Sequence, residues 1–475
     1  MEEAMPAYRQ LRKLRLAALL LVMLGGSAAF GADPDPALVQ RGKYLARAGD
    51  CVACHTAPGG AAMAGGLVLA SPLGSIVSTN ITPSRSAGIG NYTLAQFSDA
   101  LRRGVRADGA RLYPAMPYTA YALVTDADAR ALYAYFMLGV APVDAKPVRH
   151  TALPFPFNLR SSMALWNALY LDSKPFAADP SKGDDVNRGA YLVRGLGHCG
   201  ACHTPRNTLM AERAGSALAG AALGAWYAPN ITADPNSGVG GWSVDELVNY
   251  MKTGHAAGKA HAAGPMTEAI DNSLVYLDLA DLRAITLYLK QTPAVHDGAD
   301  TRPPYAWGGP SNELNSIRGI AWPADRSQLS GPQLYDAHCA SCHHANGQGS
   351  LKGGLPSLFH ATSVGRSNTN NLVMVMLDGI AREGNDREVV MPGFRNVLSD
   401  KQAATLGTYL VQHYGNPAAT VTASQVAGLR AGGPQSPLAA VVRGALALAA
   451  VLLVLLVLFA VRWRRTRPGA PRGVA

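Results

Sequence analysis

Cysteine occurs at six positions, and all six fall in three short strings: "CVACHT" at 51–56, "CGACHT" at 199–204 and "CASCHH" at 339–344. Two thiols with two residues between them on a turn of helix face one way. That arrangement suits a zinc site, a dithiol redox pair, or addition to the two vinyl groups of haem. The histidine directly after the second cysteine selects among them, because it reaches over the same face and can bind iron at the centre of a macrocycle held by both sulfurs. Structural zinc wants four ligands, usually two pairs joined by a short loop, whereas successive motifs here begin 148 and 140 residues apart. A thioredoxin-like pair wants a βαβ setting, which the sequence does not suggest. No cysteine remains for a disulfide outside the motifs. The expectation is three covalently bound haems c, on Cys51 and Cys54, Cys199 and Cys202, and Cys339 and Cys342, with His55, His203 and His343 as axial iron ligands.

A second axial ligand should follow each histidine, and methionine suits an electron carrier because thioether ligation raises the potential. Met116 in "LYPAMPY" lies 61 residues after His55, Met266 in "AAGPMTEAI" 63 after His203, and Met391 in "VVMPGF" 48 after His343. All three are expected in Pro-containing loops, where proline stiffens backbone that must hold a ligand over a flat ring. Met63 follows His55 too soon to cross a haem. Met137, Met163, Met210, Met251, Met374 and Met376 read as core. His255 and His261 compete for the second site, and His198, His338 and His344 read as surface residues or propionate neighbours.

The elements that must position these ligands repeat. A glycine and a tyrosine precede each motif, in "QRGKYLARAGD", "NRGAYLVRGLGH" and "SGPQLYDAH", on stretches of helical pattern. Asn-Ile-Thr, a glycine turn, an aromatic and an amphipathic helix follow in the first two copies, with Thr93 and Ser243 at N-cap positions and Glu246 as capping-box partner. Each copy closes on another helical pattern: "DADARALYAYFMLG", "DLADLRAITLYLKQTP" and "LSDKQAATLGTYLVQHYG". Strand signals are sparse, so the fold class expected is all-α. The units run over 36–140, 186–292 and 326–416, joined by connectors at 141–185, 293–325 and 417–437.

The net charge of +10 sits mostly at the ends of the chain. Arg462, Arg464, Arg465, Arg467 and Arg472 crowd the C-terminus, while the middle of the chain is close to neutral; this is not a nucleic-acid footprint. Basic residues, an apolar run from Leu16 to Leu24 and small residues near Ala29 to Ala32 form a secretory signal pattern over 1–32. "GALALAAVLLVLLVLFAV", Gly444 to Val461, is long enough to cross a hydrocarbon core. A spanning helix over 438–461 with a basic tail at 462–475 puts the tail in the cytoplasm and the body in the periplasm of an inner membrane.

With these residues in hand, the chain resembles the tri-haem cytochrome c subunits of membrane-bound periplasmic dehydrogenases. Those serve quinoprotein alcohol dehydrogenase and the flavin-dependent gluconate, fructose, sorbitol and glucose dehydrogenases. The stretches that carry the likeness are "GKYLARAGDCVACHT", "STNITP", "GIGNYT", "LYPAMPY", "RGAYLVRGLGHCGACHTPRN" and "MPGF". The resemblance implies three tandem class I cytochrome c domains and axial pairs His55 with Met116, His203 with Met266, and His343 with Met391. It also implies a separate catalytic subunit and electron delivery to ubiquinone or a terminal oxidase. The C-terminal helix favours a flavoprotein partner of the glucose–methanol–choline type over a quinoprotein. No nucleophile, dinucleotide fingerprint or mononuclear metal cluster is visible, so the chain reads as an electron-transfer subunit and not itself a catalyst. Alternatives are a subunit serving an aldehyde-oxidising molybdenum or quinoprotein enzyme, and a haem peroxidase with one open iron.

Overall fold

The computed structural model describes residues 35–71, 73–350, 355–383, 388–434 and 437–466. The signal segment expected over 1–32 and residues 467–475 of the basic tail lie outside them.

In the first segment, Asp35 accepts a hydrogen bond from the Ala37 amide and Pro36 opens helix α1, Pro36–Ala48, a favourable cap and a favourable first residue. A hairpin follows, β1 (Val68–Ser71) on β2 (Gly74–Val77), with Val68 opposite Val77. The next helix, Leu94–Arg103, begins on Thr93, whose capping box is completed by Gln96. Helix α2, Asp126–Ala134, then returns across α1. The crossing is made at Gly42, where a Cβ would collide with the Ala131 carbonyl.

The second segment repeats this plan. Helix α3 (Asp184–Tyr191) leads to hairpin β3–β4 (Ala221–Leu223 and Trp226–Ala228), and the helix Val244–Thr253 is boxed by Ser243 and Glu246. A minimal hairpin β5–β6 (His255–Ala256 and Ala260–His261) and helix α4 (Pro265–Asn272) follow, before α5 (Leu279–Leu289) crosses α3. Gly189 meets the Ala284 carbonyl as Gly42 meets that of Ala131.

In the third segment α6 (Gly331–His338) crosses α8 (Asp400–Tyr414), with Gly331 flat against the Tyr409 ring. Between them lie α7 (Asn370–Asp378) and hairpin β7–β8, Ile380–Glu383 on Glu388–Met391. Helix α9, Leu438–Thr466, ends the described chain.

The described chain is 46% helical. Its four antiparallel hairpins are a departure from the purely helical expectation. They are short, and alternation over two to four residues leaves too little signal to separate strand from loop. The connector expected over 141–185 also contains a helix, Ser162–Tyr170.

The apolar core is not divided as the sequence is. Leu45, Leu132 and Phe136 from the first segment and Leu192, Leu196, Leu282 and Ile285 from the second form one continuous buried cluster. Each such side chain withdrawn from water contributes about 2 kcal/mol. A second cluster, around Leu334, Tyr335, Leu377 and Leu406, takes in Ala225 of the second segment.

Polar contacts across the first two segments are reciprocal. Arg41 donates to Asp128 Oδ1 at 2.9 and 2.6 Å, and Tyr191 from the other segment donates to Asp128 Oδ2 at 2.6 Å. Arg188 grips Asp281 at 2.7 and 2.6 Å, and Tyr44 donates back to Asp281 at 2.7 Å. Arg-Gly-x-Tyr therefore does three jobs. The arginine holds an aspartate of its own segment, the glycine admits the crossing helix, and the tyrosine reaches the other segment's aspartate. In the third segment Ser330 and Gln333 occupy the arginine and tyrosine positions, and they bond each other as a capping box.

Candidate haem sites

Each motif is a single helical turn. The amides of His55, His203 and His343 bond the carbonyls of Cys51, Cys199 and Cys339 at 3.0, 2.9 and 2.9 Å. This closes an i to i−4 turn that brings the first thiol and the imidazole onto one side. All six cysteines are unpaired thiols. Burial pushes Cys51, Cys199 and Cys339 up to about 12 and Cys54 up to about 11. Among the described residues no group of three or more His, Cys, Asp or Glu side chains converges as a metal cage would require. The donor set fits separate attachment points on one large ring.

The histidines carry the clearest instruction. His55 Nδ1 bonds the Thr79 carbonyl at 2.7 Å, His203 Nδ1 the Pro229 carbonyl at 2.6 Å, and His343 Nδ1 the Pro356 carbonyl at 3.0 Å. A carbonyl only accepts, so the proton is on Nδ1 and the Nε2 lone pair is left for a metal. Burial lowers the basicity of all three rings, against the opposing pull of the carbonyl bond. They are thus held as neutral imidazoles, the ligand form. These residues fit a covalently held haem.

The accepting carbonyls explain the Asn-Ile-Thr repeat, whose role the sequence left open. Thr79 and Pro229 each stand immediately before it. Asn80 Oδ1 accepts from the Thr82 amide and hydroxyl, and its Nδ2 donates to the carbonyls of Val143 and Ala145. Asn230 does the same with Thr232 and Val295. The strap that aims the imidazole is thereby tied to the chain leaving the segment. In the third segment the Pro356 carbonyl serves without that element.

The methionines depart from the loop expectation in two cases. Met116 does lie in a turn, its amide bonded to the Tyr113 carbonyl, and the following Tyr118 is buried with its hydroxyl on Asn167 at 2.7 Å. Met266 instead sits in the first turn of α4, behind Gly264 at φ 55° and Pro265. Gly264 lies against the Trp226 indole, where a Cβ would not fit. Met391 ends strand β8, paired with Ile380. Proline therefore opens a helix in one copy and follows a strand in another.

Among the competitors, Met63 is a buried core residue, 7% exposed. His255 and His261 stack across β5–β6 with ring centres 4.2 Å apart. Burial and the nearby charges of His255, Arg382 and His343 pull His261 down to about 4, so this pair stands at the boundary with the third segment. His198 is not a surface residue: it packs edge-on against Tyr121 of the first segment, centres 5.6 Å apart. His338 packs against Phe394.

Two arginines at the second boundary were not singled out from sequence. Arg382 on β7 donates to Asp271 of α4 at 2.6 Å and to the Thr253 carbonyl at 2.8 Å. It couples the hairpin that ends in Met391 to the helix that begins beside Met266. Arg366, after the short helix Thr362–Gly365, reaches into the second segment, where its Nη1 donates to the Ser237 carbonyl. Neither residue lies in a repeated string, and nothing local marks them.

Comparison with known proteins gives consistent results. A family profile described as "Cytochrome C oxidase, cbb3-type, subunit III" matches residues 326–410. The chain is 47% identical to the fructose dehydrogenase cytochrome subunit of Gluconobacter japonicus, over 91% of this chain and 92% of that one. It is 40% identical to the gluconate 2-dehydrogenase cytochrome c subunit of Pantoea cypripedii, over 86% and 94%. It is 38% identical to the cytochrome c subunit of the quinone alcohol dehydrogenase of Gluconacetobacter polyoxogenes, over 88% and 90%. With histidines aimed from carbonyl straps beside paired thiols, and with relatives matched along nearly their whole length, the chain belongs to the family of cytochrome c subunits of membrane-bound sugar, sugar-acid and alcohol dehydrogenases.

Proposed function

We propose that the chain carries three haems c and relays electrons from a flavoprotein dehydrogenase, acting on a CH–OH group of a sugar or sugar acid, to ubiquinone. The haems would be held by Cys51 and Cys54, Cys199 and Cys202, and Cys339 and Cys342, in three class I cytochrome c domains over 36–140, 186–292 and 326–416. The axial pairs would be His55 with Met116, His203 with Met266, and His343 with Met391. The observation that supports this most is the threefold bond from His Nδ1 to a backbone carbonyl, each on a helical Cys-x-x-Cys-His turn.

Bound haem supplies a one-electron iron couple; the protein's part is to hold, aim and enclose. The straps at Thr79, Pro229 and Pro356 fix the imidazole tautomer. The shared core keeps the first two sites in one rigid body. Tyr121, whose hydroxyl donates to the Gly49 carbonyl while its ring packs on His198, joins the approaches to the first two motifs. The Arg382–Asp271 pair joins the second and third.

The flavoprotein preference rests on the 47% identity to a fructose dehydrogenase subunit together with the C-terminal apolar helix. In this reading α9 crosses the inner membrane, the haem domains lie in the periplasm and the basic tail is cytoplasmic. The test is purification of the complex from membranes, with haem counted by its pyridine adduct and the organic cofactor of the partner extracted. Three haems per chain, a flavin and sugar-dependent ubiquinone reduction are expected. Two haems would remove one of the proposed sites, and a pyrroloquinoline quinone in place of flavin would overturn the partner assignment.

A further inference from the structure

Arg366 is a third-segment residue whose side chain belongs to the second segment's site. The turn that carries it is fixed on both sides. The Thr362 amide donates to the Lys259 carbonyl at 2.7 Å, and Gly365 lies so close to the Pro304 carbonyl that no Cβ would fit. From there the guanidinium points among second-segment groups. Among the described residues its hydrogen bond is the long contact of 3.4 Å to the Ser237 carbonyl. Its charge reaches Tyr227, Tyr250 and the ring of His203.

A guanidinium has five N–H donors, and a buried one is normally matched by a carboxylate. Among the described residues Arg366 forms no ion pair, whereas the boundary arginines Arg188 and Arg382 each hold an aspartate. The carboxylate whose charge it feels most is Asp300, and Asp300 Oδ1 already accepts from the Ser367 hydroxyl at 3.0 Å. Burial pulls the Arg366 guanidinium below its ordinary value, against the opposing charge of Asp300.

We infer that Arg366 binds a propionate carboxylate of the haem held by Cys199, Cys202 and His203, so that the third segment completes the second segment's haem site. The inference rests on the haem reading above. A fork of N–H groups matches a carboxylate in bidentate fashion, and here it would come from outside the unit that holds the iron ligand. An uncompensated propionate stabilises the oxidised iron, and its neutralisation by Arg366 favours the reduced form. Arg366 is thus a positioning residue that sets one potential out of three, and it makes that potential depend on how the third segment is seated.

The experiment uses the full-length complex. Haem is counted first, and the three midpoint potentials are then measured by spectroelectrochemical titration in wild type, R366Q and R366K. M266H marks the second haem by displacing its wave. With all three haems present, R366Q should lower the marked wave by about tenfold in its reduction equilibrium, about 59 mV for one electron. It should leave the other two in place, and R366K, which keeps the charge, should move the marked wave less. Three unmoved waves, or a shift confined to the third haem, would overturn the assignment. If R366Q fails to load haem, R366M keeps the buried stem and removes only the charge. Selective loss of the second haem in R366Q and R366M, with full loading in R366K, supports the assignment; equal loss in all three makes the residue purely structural and overturns it. A wild-type complex without haem at Cys199 and Cys202 defeats the haem reading itself, and this inference with it.

Discussion

At the scale of single residues, the proposed iron ligands and the interface aspartates make different demands. Replacing Met266 by Ala should leave an open iron, so that the reduced protein binds carbon monoxide at one haem out of three; CO difference spectra measure this directly. An unmodified protein that already binds CO at that haem would show that Met266 is not its ligand. Asp281 is opposed by burial yet held below the usual carboxylate range by the hydrogen bonds from Arg188 and Tyr44. Because its folded value is depressed, its stabilisation is full above the unfolded value of about 3.9 and is lost as pH falls from there through the lower folded value. Asp281→Ala should cost about 2 kcal/mol, since Arg188 and Tyr44 then lose their acceptor together. Urea unfolding should show that difference at pH 7 and a smaller one at pH 3. The Cys-x-x-Cys-His motifs stand out in the sequence because their pattern is local, and each forms the single helical turn that pattern predicts. Thr79, Pro229 and Pro356 do not stand out, since a backbone carbonyl leaves no mark in residue type.

At the scale of elements, the repeated glycines are the points where helices cross. Gly189→Ala would drive a methyl group into the Ala284 carbonyl. Backbone cannot yield there without parting α3 from α5, so a loss of about 2 kcal/mol is expected, read as a lower thermal midpoint of the holoprotein. The sequence showed the helices that cross, the glycine before each motif, and the caps at Thr93 and Ser243 on the helices between them; it did not show that the glycine marks a crossing. The hairpins escaped it altogether, being too short to establish a period. One of them gives a sharper test. Asp271→Asn weakens the grip of Arg382, which joins the Met266 helix to the Met391 hairpin. Redox titration should therefore find the second and third haem potentials displaced together and the first unmoved.

At the scale of the whole molecule, α9 stands apart from the rest. Within its span Leu438–Trp463 the apolar window has a mean hydropathy of 3.0 and is not buried against the body. At about 1.5 Å per residue it exceeds the ~30 Å of a hydrocarbon core. Ending the chain before Leu438 should release a protein that keeps its haem content and its visible spectrum but leaves the membrane fraction, measured by ultracentrifugation and haem stain. A truncated protein that still sediments with membranes would move the anchor elsewhere. The helix was evident from composition alone. How the body is assembled was not, because Tyr44 and Asp281, 237 residues apart, carry no pairing signal in one sequence.

The reciprocal grip of Tyr44 and Tyr191 has one more consequence. Two copies of a single unit, each offering an Arg–Asp pair and taking the other's with its tyrosine, form the self-complementary contact of a twofold homodimer. Here both copies lie in one chain. The first two segments thus have the architecture of a covalently fused dimer, with a third copy that has exchanged the arginine and tyrosine for Ser330 and Gln333 and so cannot compete for the same surface. Cut from its neighbour, the first segment would present both halves of that contact and should pair with itself.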